Sequence, residues 1–299
     1  MTDSADRFDR CSVAATRRGD PMIGSAFPAA RLLLVEQPGP WGRAGLLASR
    51  FDTALAHRLV ARLEAGGTRV VAIRRPGRHV PHGARRWAVV DCRPGRERVR
   101  WGHFDDDREL LDIDVPGLLA ARDDGEPAGP EYLVCAHGTH DACCAIRGRP
   151  VAAALESRRP GRVWECSHVG GDRFAANVLV LPVGLLYGRV EPADAERLVA
   201  LTDRDQVDVD ALRGRVGFSS AEQAAMVLAH RIHPAAGWRD VHVRSVDRTT
   251  IHRPVVSVAV AGRLLTVAVD VQRSEPNWLT CQAASPGRAV VYRPTLRAD

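Results

Sequence analysis

Two short segments hold most of the metal-seeking side chains of this chain. Cys135-Ala-His-Gly-Thr-His-Asp-Ala-Cys-Cys144 and Cys166-Ser-His-Val-Gly-Gly-Asp172 contain four of the seven cysteines and three of the eleven histidines. Thiolates and imidazoles are the ligands that soft and borderline metals select. Their concentration in two segments separated by a helix-length gap points to metal or thiol chemistry at one place.

The elements around them read as an α/β layer. Tyr132-Leu-Val-Cys135 and Arg162-Val-Trp-Glu-Cys166 are apolar runs of strand length. A helix is expected over 148–157 with Pro150 in its first turn, so Cys144 falls just before it. His168 and Asp172 follow a strand end, and Gly170 and Gly171 let the backbone between them pass close to a bulky group. Loops at strand ends of such a layer converge where ligands commonly bind.

The rest of the chain divides around this centre. Residues 1–28 read as a flexible lead-in. A first α/β module spans 29–125, with Arg31-Leu-Leu-Leu-Val-Glu36 as a buried strand and Phe51, Leu55, Leu59 and Leu63 on one helix face. A turn-rich linker over 123–130 separates it from a second module at 131–201. Strand, loop, helix, strand, hairpin, helix is the order of a thioredoxin-like module, and it occurs twice, which predicts two such modules in tandem. Residues 205–299 read as a small α+β appendage. Ser219-Ser-Ala-Glu222 forms a capping box there, and Val258-Ala-Val-Ala-Gly-Arg-Leu-Leu a hairpin.

Composition removes several function classes. No run of eighteen apolar residues marks a membrane span, and residues 1–20 lack an apolar signal region. A cytoplasmic setting, where thiols stay reduced, is therefore expected. Net charge is +6, and every basic residue apart from histidine is arginine. The arginines are scattered among Asp and Glu, which argues against nucleic acid and leaves an acidic redox partner. No Gly-rich nucleotide fingerprint follows a strand.

Cys135-x8-Cys144, followed by the stretch from His168 to Val190, resembles the sucrase/ferredoxin-like family, itself related to the thioredoxin-like [2Fe–2S] ferredoxins. Leu33-Leu-Val-Glu-Gln-Pro-Gly-Pro-Trp-Gly42 is similar to the same family, and the likeness covers roughly 11–195. It implies a [2Fe–2S] cluster held by Cys135 and Cys144 from the first loop and by the positions of His168 and Asp172 from the second. The thioredoxin-like ferredoxins carry Cys-x3-Cys at the second pair, and some members of the family His-x3-His. This chain has a hard carboxylate at Asp172, an uncommon cluster ligand. Cys166 and Cys143 stand as substitutes for the fourth position. His137 and His140 read as loop residues bonded to backbone or to Asp141. Cys11, Cys92 and Cys281 read as small buried hydrophobes, and Trp41 as a packing residue.

Three functions compete on these residues. A [2Fe–2S] electron carrier serving a redox protein comes first; a histidine ligand should raise its potential above an all-cysteine cluster and make it pH-dependent. A zinc site on the same residues is the alternative, since two Cys, one His and Asp or water suit tetrahedral Zn²⁺. A metal-free thiol protein using Cys143 and Cys144 is the third, and the absence of Cys-x-x-Cys weighs against it. An electron carrier is favoured over an enzyme. Glycoside hydrolysis would need a pair of active-site carboxylates that no segment singles out.

Overall fold

A computed structural model of the chain describes residues 9–77, 83–121 and 129–297. Helix α1 (Cys11–Arg17) comes first and buries Cys11, Ser12, Ala14 and Ala15. Part of the expected lead-in is thus packed structure, because a short run of small residues allows the helix to sit close to its neighbours. Residues 1–8, and 122–128 of the turn-rich linker region, lie outside the described residues.

The first module contains β1 (Arg31–Glu36), α2 (Thr53–Ala65), β2 (Thr68–Arg74), β3 (Arg85–Asp91), β4 (Arg98–Phe104) and α3 (Val115–Ala120). The second contains β5 (Glu131–Cys135), α4 (Ala142–Arg158), β6 (Val163–Cys166), β7 (Val178–Leu181), β8 (Leu185–Tyr187) and α5 (Ala195–Asp203). β9 (Leu212–Arg215), α6 (Ser220–Ile232), β10 (His242–Asp247), β11 (Val255–Val260), β12 (Arg263–Arg273) and β13 (Val290–Leu296) follow.

Among the described residues, nine strands form one mixed sheet in the order β4-β3-β1-β2-β6-β5-β7-β8-β9. β1 runs parallel to β2 and antiparallel to β3, which pairs antiparallel with β4. β5 runs parallel to β6 and antiparallel to β7, which pairs antiparallel with β8. The two quartets therefore have the same order and the same senses of pairing. They meet where β2 and β6 pair antiparallel, at Ile73↔Cys166 and Arg74↔Glu165.

Successive residues of these strands enter different layers, as a period of two requires. Leu32, Leu34, Ile73, Leu133, Cys135, Trp164 and Cys166 share one core. Leu33, Val35 and Ala72 pack with Leu59 and Leu63 of α2. Tyr132, Val134 and Val178 pack with Val151 and Leu155 of α4. Burial on both faces explains why the strands read as unbroken apolar runs.

β9, inside the stretch assigned to the appendage, instead extends the large sheet by pairing with β8. The remaining strands form an antiparallel sheet in the order β10-β11-β12-β13. Val256, Val258, Val267 and Val269 of that sheet cover Ala225, Met226 and Ala229 of α6. No helix among the described residues is long and apolar enough to cross a membrane.

Candidate metal centre

The helix after β5 begins at Ala142, six residues before the position that Pro150 suggested. Asp141 decides the start. Its carboxylate accepts from the Cys143 amide, which satisfies one of the free donors of the first turn. Cys143 and Cys144 consequently lie in the first turn of α4 rather than on the loop. Gly148 sets how closely that turn approaches the strand: a Cβ there would stand 2.1 Å from the Cys135 carbonyl oxygen. Only a residue without a side chain lets α4 bring Cys144 against Cys135.

Cys135 closes β5 in register with Cys166 of β6. Its amide donates to Asn177 O, so the thiol stands on paired backbone. Two residues past β6, His168 turns toward the thiols. Cys135 Sγ, Cys144 Sγ and a ring nitrogen of His168 all lie within 4.8 Å of one another. Asp172 borders this trio, with Oδ1 3.2 Å from Cys144 Sγ and 2.9 Å from His168 Nδ1, and itself forms a set within 4.8 Å with His140 and His168. His140 adds a further nitrogen, its Nε2 3.7 Å from Asp172 Oδ2. The rings of His140 and His168 stack at 3.8 Å.

The loop of glycines before Asp172 is held by one cation. Arg213 of β9 is buried and donates to Gly170 O at 2.9 Å, Asn177 Oδ1 at 2.7 Å and Ser25 O at 2.6 Å. Gly171 has φ +77°, and a Cβ there would meet the Arg213 guanidinium at 2.5 Å. Arg213 thus fixes the turn that presents Asp172. Burial pushes its pKa down to about 9, against the pull of Cys135, Asp172 and Cys144. Among the described residues no carboxylate bonds this cation, and it sits beside a group of potential anions, which favours their charged forms.

The same mutual field sets the protonation of the site. The Cys144 hydrogen bond holds the Cys135 thiol well below its ordinary range, while Cys144 itself is raised by the thiolate it bonds. Burial opposes charge on His168, but Asp172 and Cys135 outweigh it and lift the imidazole to about 9. Burial likewise opposes charge on Asp172, and His168 reverses it to a lowered carboxyl.

His137 is bound to the backbone, as its loop position suggested. Its Nε2 lies 2.7 Å from Gly42 O, and its Nδ1 accepts the His168 amide at 3.2 Å. These partners assign the proton to Nε2. The ring acts as a strut under His168. His140 Nδ1 lies 3.3 Å from Arg43 O. Trp41 is buried and packs edge-on against His137, as a packing residue should. The histidine edge opens into a cleft of about 460 Å³ bordered by Arg43, Arg69, His137, His140 and His168.

The two substitutes for the fourth ligand go elsewhere. Cys166 lies in the apolar core, where burial raises its thiol. Cys143 faces away from the site, toward Cys11 and Cys281. Cys92 is the small buried hydrophobe expected. Cys281 is exposed rather than buried, because it lies on the segment between β12 and β13. Neither it nor buried Cys11 is isolated: both meet Cys143, across 138 and 132 positions, which no local pattern signals.

Comparison with known proteins returns no curated protein and no solved structure that matches. A family model described as sucrase/ferredoxin-like matches residues 22–214, a span that holds Cys135, Cys144, His168, Asp172 and Arg213. Over that majority of its length the chain belongs to the sucrase/ferredoxin-like family.

Proposed function

We propose that Cys135, Cys144, His168 and Asp172 hold a [2Fe–2S] cluster and that the protein carries single electrons. The observation that carries this reading is the donor set. Two thiols stand within 4.8 Å of an imidazole whose Nδ1 lies 2.9 Å from the Asp172 carboxylate. Thiolate and imidazole are established cluster ligands.

The bound cluster supplies a one-electron couple. The chain does the rest. Cys135 on β5 and Cys144 on α4 form a fixed thiol pair, and Arg213 balances charge from beneath the Gly170–Gly171 turn. His137 orients His168, and the stacked His140 and His168 rings form the edge nearest the cleft. An acidic redox protein docking near Arg43 and Arg69 would approach that edge. The matching order of the two strand quartets supports tandem thioredoxin-like modules, of which the second bears the cluster. Seven free cysteines suit a reducing, cytoplasmic setting.

One observation favours a second reading. Cys135, Cys144 and His168 converge within 4.8 Å, a spacing that also suits a single tetrahedral zinc ion. Anaerobic purification followed by iron, sulfide and zinc quantification separates the two. About two irons and two sulfides per chain, with a red-brown colour, support the cluster. A colourless protein with zinc lost on His168→Ala overturns it in favour of zinc.

A further inference from the structure

The opposite side of the α4 first turn gathers a second donor set. Cys11 of α1, Cys143 of α4 and Cys281 of the segment between β12 and β13 form a nearly equilateral triangle. Their Sγ atoms are separated by 3.6 Å (Cys11–Cys143), 3.4 Å (Cys143–Cys281) and 3.6 Å (Cys281–Cys11). Asp141 stands over one corner, with its carboxylate oxygens 3.7 and 3.6 Å from Cys11 Sγ. All four ligand atoms lie within 4.8 Å of one another.

These lengths can be compared with what an ion requires. Metal–sulfur bonds of about 2.3 Å at tetrahedral angles place sulfurs about 3.8 Å apart, and a metal–oxygen bond of about 2.1 Å places oxygen about 3.6 Å from sulfur. The observed triangle falls within a few tenths of an ångström of that figure. Three thiols also exceed what one disulfide can use.

The surroundings are those of a ligand shell. The Cys143 and Cys281 amides donate to Asp141 at 2.8 and 2.7 Å and orient its carboxylate. Ser12 Oγ donates to Cys143 Sγ at 3.2 Å, and the Cys11 amide to Cys281 Sγ at 3.5 Å. Such donors orient and stabilise metal-bound thiolates. The N-terminus of α4 points at the group and favours its negative charge.

We propose that Cys11, Cys143, Cys281 and Asp141 bind one zinc-class divalent ion, a structural site distinct from the one at Cys135. Cys11 and Cys281 fall outside the span that matches the family, and Cys143 and Asp141 fall inside it. The ion would tie α1 and the segment after β12 to α4. Adjacent residues, Cys143 and Cys144, would then serve two centres.

The test uses the full-length protein purified under reducing conditions. Zinc per chain is measured in the unsubstituted protein, Cys11→Ser, Cys281→Ser and His168→Ala. One zinc should be present in the unsubstituted protein, lost in both serine variants and retained in His168→Ala. The second readout needs no variant: alkylation of the unsubstituted protein, stripped of zinc with a chelator, mapped by mass spectrometry with and without restored Zn²⁺. Cys11, Cys143 and Cys281 should slow together by about ten-fold or more. Zinc content indifferent to both serine variants, or alkylation of the three thiols unchanged by Zn²⁺, overturns the proposal. Because the readouts are zinc and these three thiols, failure here leaves the iron content of the Cys135 centre as a separate result.

Discussion

The two strand quartets follow one plan and carry different loads. After β1, the loop leading into α2 contains Pro38, Pro40 and Trp41 and no cysteine. After β5, the equivalent loop leads into α4 with Cys135, His137, His140 and Cys144. The first loop is used to hold the second. Trp41 O accepts from Thr139 Oγ1 at 2.6 Å, and Gly42 O lies 2.7 Å from His137 Nε2. On β2, Ala72 exchanges hydrogen bonds with Ser167, and Arg69 donates to His168 O at 3.1 Å. A repeated scaffold has one half that presents donors and one half that braces them. Bracing by backbone carbonyls makes few demands on side chains, which is why the first loop needs no metal-seeking residue.

Substitutions in the two halves should differ accordingly. The largest effect belongs to the donors. His168→Ala should abolish the visible chromophore and the bound iron while leaving the far-ultraviolet circular dichroism unchanged, because His168 is partly exposed and anchors no core. Iron content at the unsubstituted level in this variant would remove His168 from the ligand set.

Arg213→Met comes next. It leaves Gly170 O, Asn177 Oδ1 and Ser25 O without their donor in a buried place. Urea denaturation should show a loss of about 2–4 kcal/mol, and iron should be released faster. A loss below about 1 kcal/mol would show that the Gly170–Gly171 turn holds itself.

Gly148→Ala should cost about 1–3 kcal/mol, since the added methyl meets the Cys135 carbonyl and pushes α4 off β5. Its signature is a shifted chromophore as well as a lower melting temperature. An unshifted spectrum would mean that the helix can move without disturbing Cys144.

The smallest effect is expected at a contact between the two halves. Thr139→Val removes one hydrogen bond to Trp41 O and should cost about 1 kcal/mol, with the chromophore intact. Should it empty the site as His168→Ala does, the division into presenting and bracing halves fails.

Much of the centre is legible in the sequence, and the residues show where legibility stops. Cys135 and His168 sit at or just past strand ends because apolar runs of strand length precede both, and such runs are read locally. Gly170 and Gly171 mark a turn that only their conformational freedom permits. Pro150, a strong signal for a first helical turn, places the expected start of α4 six residues too late. Asp141 outweighs it: the cap forms, and Pro150 is carried inside the helix, with Ile146 one turn earlier exposed. The antiparallel junction of β2 with β6 and the meeting of Cys11, Cys143 and Cys281 depend on contacts between distant segments, which no periodicity records. Arg213 was missed for the same reason. One arginine among many gives no hint that β9 places it under the Gly170–Gly171 turn.

The central claim is most directly tested by electron paramagnetic resonance of the anaerobically purified, dithionite-reduced protein. The account predicts a mixed-valence [2Fe–2S] signal with nitrogen hyperfine coupling from His168, and loss of that coupling, with the cluster signal retained, in His168→Cys. A reduced protein with no such signal, in a sample whose metal at Cys135 and Cys144 is zinc, would contradict it.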